Sequence, residues 1–230
     1  MKTALVLSGG GMFGAWQAGA WRALSSRFRP DLVVGASVGS LNGYAIAAGS
    51  SGDELGEFWL HPEIGNLSQL PHTIRTMMDR YPPALNYALV LTDALRLKPK
   101  VITGASVTWR HLAASCAIPL VLRPYRIDAR WYCDGGLLNP LPVWAAIELG
   151  ATHIVGLHAL PQIPGYWLKP FVSGFRRVAG HNPRQPAGVE VKIIAAPGPL
   201  GSLYDALHWK RENIERWMDQ GFKAAREISV

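Results

Sequence analysis

The chain has 230 residues, of which 49% are hydrophobic and 17% are charged. This length suits a single domain, and this composition supplies a core and excludes an intrinsically disordered chain. The net charge is +7, but Lys and Arg form no run longer than a pair, so we expect no nucleic-acid partner. We expect one domain over residues 1–230, with a variable loop region at 160–186, and the sequence leaves the oligomeric state open.

The positive charge divides almost evenly between the two halves of the chain, with +3 over residues 1–115 and +4 over residues 116–230. Such a diffuse field would draw the protein toward anionic lipid surfaces, and the alternative is that it only keeps the protein soluble. The two cysteines, Cys116 and Cys133, have no metal-ligand spacing, and we predict no metal and no cofactor. The first apolar run is too short for a signal peptide, and none reaches the roughly 18 residues of a membrane span. We therefore expect a cytoplasmic protein with transient contact to a membrane or micelle surface.

Short apolar runs alternate with helical patterns along the chain. In chain order we predict a strand at 3–8, a helix at 13–26, a strand at 31–36, a helix at 38–48, weaker strands at 87–92 and 100–103, a helix at 109–117, a strand at 126–133, a helix at 142–149, strands at 152–158 and 189–195, and a long helix at 203–228. This alternation predicts a three-layer α/β/α fold with a mainly parallel central sheet. Ligands of such sheets bind at the carboxyl ends of the strands, which should bring Gly9, Ser37 and Asp134 to one edge.

The segment Gly35-Ala36-Ser37-Val38-Gly39 follows a predicted buried strand and precedes a helix of small residues. A serine in such a sharp turn presents its hydroxyl above the sheet, and the flanking glycines avoid Cβ clashes. The amino end of the following helix favours developing negative charge. We therefore predict that Ser37 is a nucleophile whose elbow includes Gly35 and Gly39. An ordinary tight turn between a strand and a helix is the alternative.

The glycine-rich segment at residues 8–14 supports two interpretations. It fits the Gly-x-Gly-x-x-Gly fingerprint of a dinucleotide site, which requires an acidic residue at the carboxyl end of the second strand. That strand ends in Ser37, and Asp31 lies at its other end. The alternative is an oxyanion hole, in which bare backbone N–H groups bind a tetrahedral intermediate. We favour the oxyanion hole and predict that it includes Gly9, Gly10, Gly11 and Met12.

Asp134 is followed by two glycines at the end of a predicted strand. This pattern is common in turns, but a desolvated carboxylate about 3 Å from a serine hydroxyl is also a competent general base. A Ser-Asp-His triad is the alternative, and its candidate histidines are His153, His158, His181 and His208. His158, just past a strand, is the best placed of the four. Only one strand precedes that of Ser37, unlike the order of α/β-hydrolases, which favours Asp134 as the base.

The glycine loop at 9–14, the Gly-x-Ser-x-Gly at 35–39 and the Asp-Gly-Gly at 134–136 occur in an order that resembles the patatin-like phospholipase family. The stretch Ala-Ser-Cys-Ala-Ile-Pro at 114–119 is similar to the family's A-S-x-A-x-P, and residues 134–143 are similar to what usually follows the catalytic aspartate. The resemblance implies a Ser-Asp dyad without histidine and a lipid ester substrate. It also implies an oxyanion hole built from the N–H groups of Gly10, Gly11 and Met12.

Two residues depart from the family pattern. Phe13 stands where the family often has Arg or Lys, and Pro140 stands where it often has Asn. Loss of the cation would reduce preference for a phosphate head group. The span at 48–85 is short for the family and predicts little lid, and residues 166–177 mix aromatic residues with cations, as either an interfacial loop or a surface loop does.

Three functions remain open on these residues. The first is a carboxylic-ester hydrolase of phospholipase, lipase or esterase type. The second is a nucleotide-binding α/β module that uses Gly9–Gly14, and the third is a membrane-surface scaffold that acts through cations and Trp side chains.

Overall fold

The computed structural model describes residues 1–162 and 186–228. The expected loop at 160–186 therefore lies outside the described residues except at its ends. His181 and the aromatic and cationic run at 166–177 lie outside them as well. No helix within the described ranges combines the length and the apolar character that crossing a membrane requires.

The described strands form one central sheet. They are β1 (Thr3–Leu7), β2 (Leu32–Ala36), β3 (Asn86–Asp93), β4 (Lys98–Thr103), β5 (Tyr125–Ile127), β6 (Arg130–Asp134), β7 (His153–His158) and β8 (Glu190–Ala195). They pair in the order β5-β6-β3-β2-β1-β7-β8, in which β2 and β6 share one edge of β3 and β4 pairs with its other edge. The neighbouring strands β3, β2, β1, β7 and β8 are parallel, whereas β4 and β6 run antiparallel to β3. The mainly parallel sheet is therefore confirmed.

Helices cover both faces of this sheet. They are α1 (Gly14–Leu24), α2 (Val38–Ala47), α3 (Gly52–Leu60), α4 (Leu70–Arg80), α5 (Trp109–Ser115), α6 (Val143–Glu148), α7 (Leu203–Leu207) and α8 (Arg211–Arg226). Alternate residues of β1 point to opposite faces, so Leu5 packs into the larger apolar core and Val6 into the smaller core beneath α6. Both faces of β1 are buried, as expected for a strand between two helical layers. The predicted three-layer α/β/α fold is confirmed.

Two predicted elements are divided in the structure. The strand expected at 126–133 is a hairpin of β5 and β6, because Asp128 and Ala129 take positive φ angles of 47° and 63° and form a tight turn. The helix expected at 203–228 is interrupted between α7 and α8. In that interruption the indole of Trp209 donates a hydrogen bond to the carbonyl oxygen of Trp59 in α3 (3.0 Å).

The span at 48–85, for which no element was predicted, contains α3 and α4. The amino end of α3 has a reciprocal capping box, in which Ser51 Oγ accepts the Glu54 N–H and the Glu54 carboxylate accepts the Ser51 N–H. This box satisfies two N–H groups that would otherwise lack partners at the helix start. The pattern Ser-x-x-Glu is visible in the sequence and marks where the helix begins.

Candidate active site

One edge of β3 brings the two candidate catalytic residues together. Strand β2 pairs with β3 as far as Ala36, which lies opposite Val90. Strand β6 takes over the same edge from the other direction, and Asp134 lies opposite the next residue, Leu91. The two strands therefore meet with their carboxyl ends facing each other. Ser37, the residue after Ala36, emerges beside Asp134.

Ser37 occupies a strained turn between β2 and α2. Its φ and ψ angles are 54° and −132°, a region that non-glycine residues rarely adopt. A Cβ on Gly35 would lie 2.2 Å from the Gly39 carbonyl oxygen, and a Cβ on Gly39 would lie 2.4 Å from the Leu7 carbonyl oxygen. Both distances are far below van der Waals contact, so this turn requires glycine at both positions.

The hydroxyl of Ser37 donates a hydrogen bond to Oδ2 of Asp134 at 2.5 Å. The other carboxylate oxygen of Asp134, Oδ1, accepts the N–H of Gly136 at 2.7 Å. Ser37 and Asp134 are only 4% and 6% exposed, so little water competes for this hydrogen bond. A carboxylate held directly against a hydroxyl in a dry site has the geometry that proton abstraction requires.

Ser115, at the end of α5, fixes the backbone of the turn. Its Oγ accepts the Ser37 N–H at 3.0 Å and donates to the Val90 carbonyl oxygen at 2.8 Å. The Ser40 hydroxyl lies 2.8 Å from the same atom. If the hydroxyl were removed, each of these groups would lose this partner. Because Ser115 is fully buried, water would not take its place. The sequence contained this residue in the 114–119 stretch, but the pattern did not reveal its contacts.

The same end of α5 also positions Asp134. The Asp134 N–H donates to the Ala117 carbonyl oxygen at 3.0 Å, and the Gly135 N–H donates to the Ser115 carbonyl oxygen at 3.3 Å. The Thr92 hydroxyl donates to the Asp134 carbonyl oxygen at 2.8 Å. A single segment, from Ser115 to Ala117, therefore holds the backbones of both candidate catalytic residues.

The glycine loop lies against Ser37. A Cβ on Gly9 would lie 3.2 Å from the Cβ of Ser37, so the loop comes close only because Gly9 has no side chain. The Gly9 N–H already donates to the Pro140 carbonyl oxygen at 2.9 Å. Across residues 1–162 and 186–228, by contrast, the N–H groups of Gly10, Gly11 and Met12 have no hydrogen-bond acceptor.

A buried hydrogen-bond network fixes the direction in which the loop points its N–H groups. The Ser8 hydroxyl donates to the Gly9 carbonyl oxygen at 2.9 Å. The two polar groups of a trans peptide point in opposite directions, so this bond turns the Gly10 N–H away from Ser8. Gln17 Nε2 donates to the Ser8 carbonyl oxygen at 2.6 Å. Asn42 links Gln17 to the indole of Trp59, with both contacts at 3.0 Å.

The two departures from the family pattern have simple structural consequences. Phe13 is fully buried and packs edge to face on Trp217, with the ring centroids 4.9 Å apart, so its side chain belongs to the core. Pro140 acts through its carbonyl oxygen, which accepts the Gly9 N–H. Any residue at position 140 supplies that oxygen, so the change from Asn leaves this contact intact.

An apolar cavity of about 440 Å³ opens beside the Ser37 hydroxyl. Its walls come from the glycine loop, the loop after α5, the segment after Asp134, and α7. The apolar side chains that line it include Ile118, Leu120, Val121, Leu137, Leu160, Leu203 and Leu207. A slot of only 40 Å³ runs from Ser37 toward Trp59 and Leu70. A larger groove of 610 Å³, between α1, α3 and α8, is lined partly by charged residues and contains none of the candidate catalytic residues.

Two of the candidate histidines within the described residues make contacts with side chains other than Ser37 and Asp134. His153 Nε2 lies 3.4 Å from Glu190 at the sheet edge, and His208 stacks on Tyr204 with the ring centroids 3.7 Å apart. His158 ends β7, which is separated from β2 by β1. In the described part of the chain, the Ser37 hydroxyl bonds to Asp134 and to no histidine.

The surroundings of the glycine loop also bear on the dinucleotide interpretation. Asp31 accepts hydrogen bonds from the N–H and the hydroxyl of Thr3, at 2.8 and 2.9 Å. These contacts lie at the amino end of β2, far from the glycine loop. A Cβ on Gly11 would lie 2.1 Å from the Ala206 carbonyl oxygen, so α7 occupies the space directly over the loop.

Comparisons with known proteins find similar sequences and a similar fold. Uncharacterized NTE family proteins of Mycobacterium tuberculosis and Mycobacterium bovis are 28% identical over 74% of this chain. The alignment covers 56% of those proteins, so the chain spans about half the length of the curated relatives it matches. The crystal structure of VipD from Legionella pneumophila shares the fold, with a TM-score of 0.56 at 12% identity, covering 97% of this chain and 66% of that one.

The family model described as patatin-like phospholipase matches residues 5–89 and 106–147, which together exceed half of the chain. The first matched segment contains the glycine loop and Ser37, and the second contains Ser115 and Asp134. On this match, the chain belongs to the patatin-like phospholipase family.

Proposed function

We propose that this chain is a carboxylic-ester hydrolase that cleaves acyl esters of lipids, with Ser37 as the nucleophile and Asp134 as the general base. The observation that carries the proposal is the 2.5 Å hydrogen bond from the Ser37 hydroxyl to Asp134 at the wall of an apolar cavity. Family membership supports a lipid acyl substrate.

In the acylation step, Ser37 Oγ attacks the ester carbonyl carbon while Asp134 Oδ2 takes the hydroxyl proton. The carbonyl π electrons move to oxygen and give a tetrahedral oxyanion. When this intermediate collapses, the bond to the alcohol oxygen breaks, and Asp134 returns its proton to the departing alcohol. The acyl group stays on Ser37 as an ester.

The oxyanion needs donors that are oriented before the reaction begins. Of the four residues predicted for the oxyanion hole, the amide of Gly9 is already bonded to Pro140. We therefore assign donation to the N–H groups of Gly10, Gly11 and Met12. Gly9 contributes in a different way, because its missing side chain lets the loop approach Ser37.

In the deacylation step, Asp134 takes a proton from water, and the resulting hydroxide attacks the acyl carbon. The second tetrahedral intermediate releases the carboxylic acid and restores the Ser37 hydroxyl with the proton from Asp134. Both steps therefore need only one hydroxyl as nucleophile and one carboxylate to take and return the proton.

The cavity supports an acyl chain as the group bound beside Ser37, since its lining is almost wholly apolar. Phe13 is buried against Trp217, so position 13 contributes no cation toward a phosphate head group. We therefore propose that the acyl chain, more than the head group, determines which lipid esters are cleaved.

A substrate panel with a matched inactive variant tests the proposal. The panel contains phosphatidylcholine, phosphatidylglycerol, a triacylglycerol and p-nitrophenyl butyrate, each measured with the wild type and with Ser37→Ala. We expect turnover of at least one ester by the wild type and none by Ser37→Ala. A fluorophosphonate probe should label the wild type alone. Full activity or full labelling of Ser37→Ala would falsify the assignment of the nucleophile.

A further inference from the structure

Among the described residues, the positive charge is concentrated in one segment. Residues 94–131 contain seven Lys or Arg against a single Asp, a net charge of +6, whereas the other described residues together carry −3. The even division between halves therefore hides a cluster, because the boundary at residue 115 cuts through it. All seven cationic side chains are exposed, and none has an acidic partner in the described ranges: Arg96, Lys98, Lys100, Arg110, Arg123, Arg126 and Arg130.

Two hairpin turns bring part of this segment to the edge of the sheet at which Ser37 lies. β3 continues beyond the pairing of Leu91 with Asp134, and its turn to β4 spans residues 94–97. Ala94 donates its N–H to the Trp131 carbonyl oxygen at 2.8 Å, so the start of β6 lies level with this turn. The turn between β5 and β6, at 128–129, projects in the same direction.

Exposed apolar side chains lie among these cations. Leu95 at the first turn is 79% exposed, and Trp131 is 41% exposed. Leu120, in the loop after α5, is fully exposed and also lines the cavity beside Ser37. We name residues 95–98, 120–123 and 129–131 the cationic rim. Exposed apolar side chains that lie among cations, one of them at the cavity beside Ser37, are typical of a binding surface.

We propose that the cationic rim docks on an anionic lipid surface and so presents the acyl cavity to that surface. Its charge complements anionic head groups, and its aliphatic side chains match the acyl region beneath them. Nucleic acid would use the same cations and Trp131, on which a base can stack, but it has no counterpart for the exposed Leu95 and Leu120. The inference depends on the proposed function for its purpose, but docking itself requires no hydrolysis.

The turn at 94–97 allows a sharp test, because the Asp93 carboxylate and the main-chain N–H groups of the turn hold its shape. Asp93 Oδ1 accepts the N–H groups of Leu95 and Arg96 at 3.2 and 3.0 Å, and these bonds survive side-chain substitution. The rim variant is therefore Leu95→Asn/Arg96→Gln/Lys98→Gln in the Ser37→Ala background. The control is Lys223→Gln/Arg226→Gln in the same background, which removes an equal number of positive charges near the carboxyl end of α8. That end lies beside the carboxyl end of α1, away from Ser37.

The measurement is co-sedimentation of the full chain with vesicles of phosphatidylcholine, or of an equimolar mixture of phosphatidylcholine and phosphatidylglycerol. We expect the Ser37→Ala parent and the control to bind the mixed vesicles more tightly than the neutral ones, with affinity falling as salt is added. The rim variant should bind the mixed vesicles on the order of tenfold more weakly, since each basic residue near the surface contributes a several-fold effect.

Three results would overturn the proposal. They are equal binding to neutral and anionic vesicles, equal binding by the rim variant and the parent, or tighter binding to duplex DNA than to mixed vesicles. Thermal unfolding of each variant shows whether it is folded. Vesicle binding is measured on inactive protein. A negative binding result therefore says nothing against ester hydrolysis, and a negative result in the ester panel says nothing against vesicle binding.

Discussion

Ala36 and Asp134 lie opposite consecutive residues of β3, although their strands run in opposite directions along it. The hydrogen-bond ladder of the sheet therefore sets the spacing between Ser37 and Asp134, and the backbone places the two side chains within contact. A catalytic pair held by the backbone needs little reorganisation during the reaction.

Replacement of the proposed base should remove activity without unfolding the protein. Asp134→Asn keeps the shape of the side chain but cannot take the Ser37 proton, so we expect kcat to fall on the order of 10²- to 10⁴-fold. The measurement is p-nitrophenyl butyrate hydrolysis, with circular dichroism as the check on folding. Single substitutions of His153, His158, His181 and His208 by Ala serve as controls and should keep most of the activity. If one of them instead matches the loss in Asp134→Asn, the protein uses a triad.

Removal of the Ser115 hydroxyl should lower kcat more than it changes KM. Ser115→Ala leaves the Ser37 N–H and the Val90 carbonyl oxygen without their partner, at a cost of about 1–3 kcal/mol in stability. The freed turn should misplace the nucleophile and reduce kcat on the order of ten- to a hundredfold. KM should change little, because Ser115 is not among the described residues that line the cavity.

Ser40→Ala is the matched control for this substitution. It removes a hydroxyl that contacts Ser115 but leaves the bonds from Ser115 to Ser37 and Val90 in place. We expect a loss of stability with kcat within a few-fold of wild type. Equal falls in kcat for the two variants would mean that Ser115 acts only through general packing.

Glycine substitutions should separate the strained turn from an ordinary helix position. In Gly39→Ala the new methyl group would lie 2.4 Å from the Leu7 carbonyl oxygen, so we expect destabilisation of more than about 3 kcal/mol. In Gly56→Ala the methyl group of α3 would meet only the Met218 sulfur at 3.7 Å. That variant should gain about 0.5–1 kcal/mol from helix propensity. Chemical denaturation measures both changes, and a destabilised Gly56→Ala would contradict this expectation.

The two buried thiols should react slowly with reagents, and they should make the stability of the fold decrease at alkaline pH. Burial, and then the negative charges of Asp134 and Asp93, raise the pKa of Cys133 to about 11 from its ordinary 9.0. Between these values the folded protein binds more protons than the unfolded chain, so stability falls as the pH rises from about 9 toward 11. The midpoint temperature of thermal unfolding should fall more steeply across that pH interval for wild type than for Cys133→Ala. Burial also raises the pKa of Cys116, so neither thiol should react rapidly with a disulfide reagent near neutral pH.

The apolar cavity should make catalysis depend on acyl chain length. Each methylene moved from water into an apolar site contributes about 0.8 kcal/mol, or roughly fourfold in kcat/KM. For p-nitrophenyl esters below their micelle concentrations, kcat/KM should therefore rise from acetate upward until the 440 Å³ cavity is filled. A flat series would show that the acyl chain binds elsewhere.

The sequence predicts the parallel half of the fold well. β1, β2 and β7 are short runs of apolar residues that recur between helical patterns, and such runs are typical of strands buried on both faces. The rule that ligands bind at the carboxyl ends of parallel strands also brings Ser37 to the correct edge. For Asp134 the expected location is right for a different reason, because β6 reaches that edge from the opposite direction.

The remaining features depend on contacts that local patterns do not encode. The turn at Asp128-Ala129 lacks the Gly or Asn that usually marks a hairpin, so β5 and β6 looked like one strand. The break before α8 has no Pro or Gly and follows from the contact of Trp209 with Trp59. The role of Ser115 requires knowing that α5 ends beside Ser37, a contact between residues 78 positions apart.

The shared edge of β3 also limits where relatives with this sheet arrangement can gain or lose residues. An extra residue between Val90 and Leu91 would shift Asp134 by about 3.3 Å along the edge and turn its side chain toward the other face of the sheet. An extra residue in the turn at 94–97 lies beyond the last pair and would leave Ser37 and Asp134 in register. Insertions and deletions in relatives should therefore collect in the turns and spare the count of residues along β3.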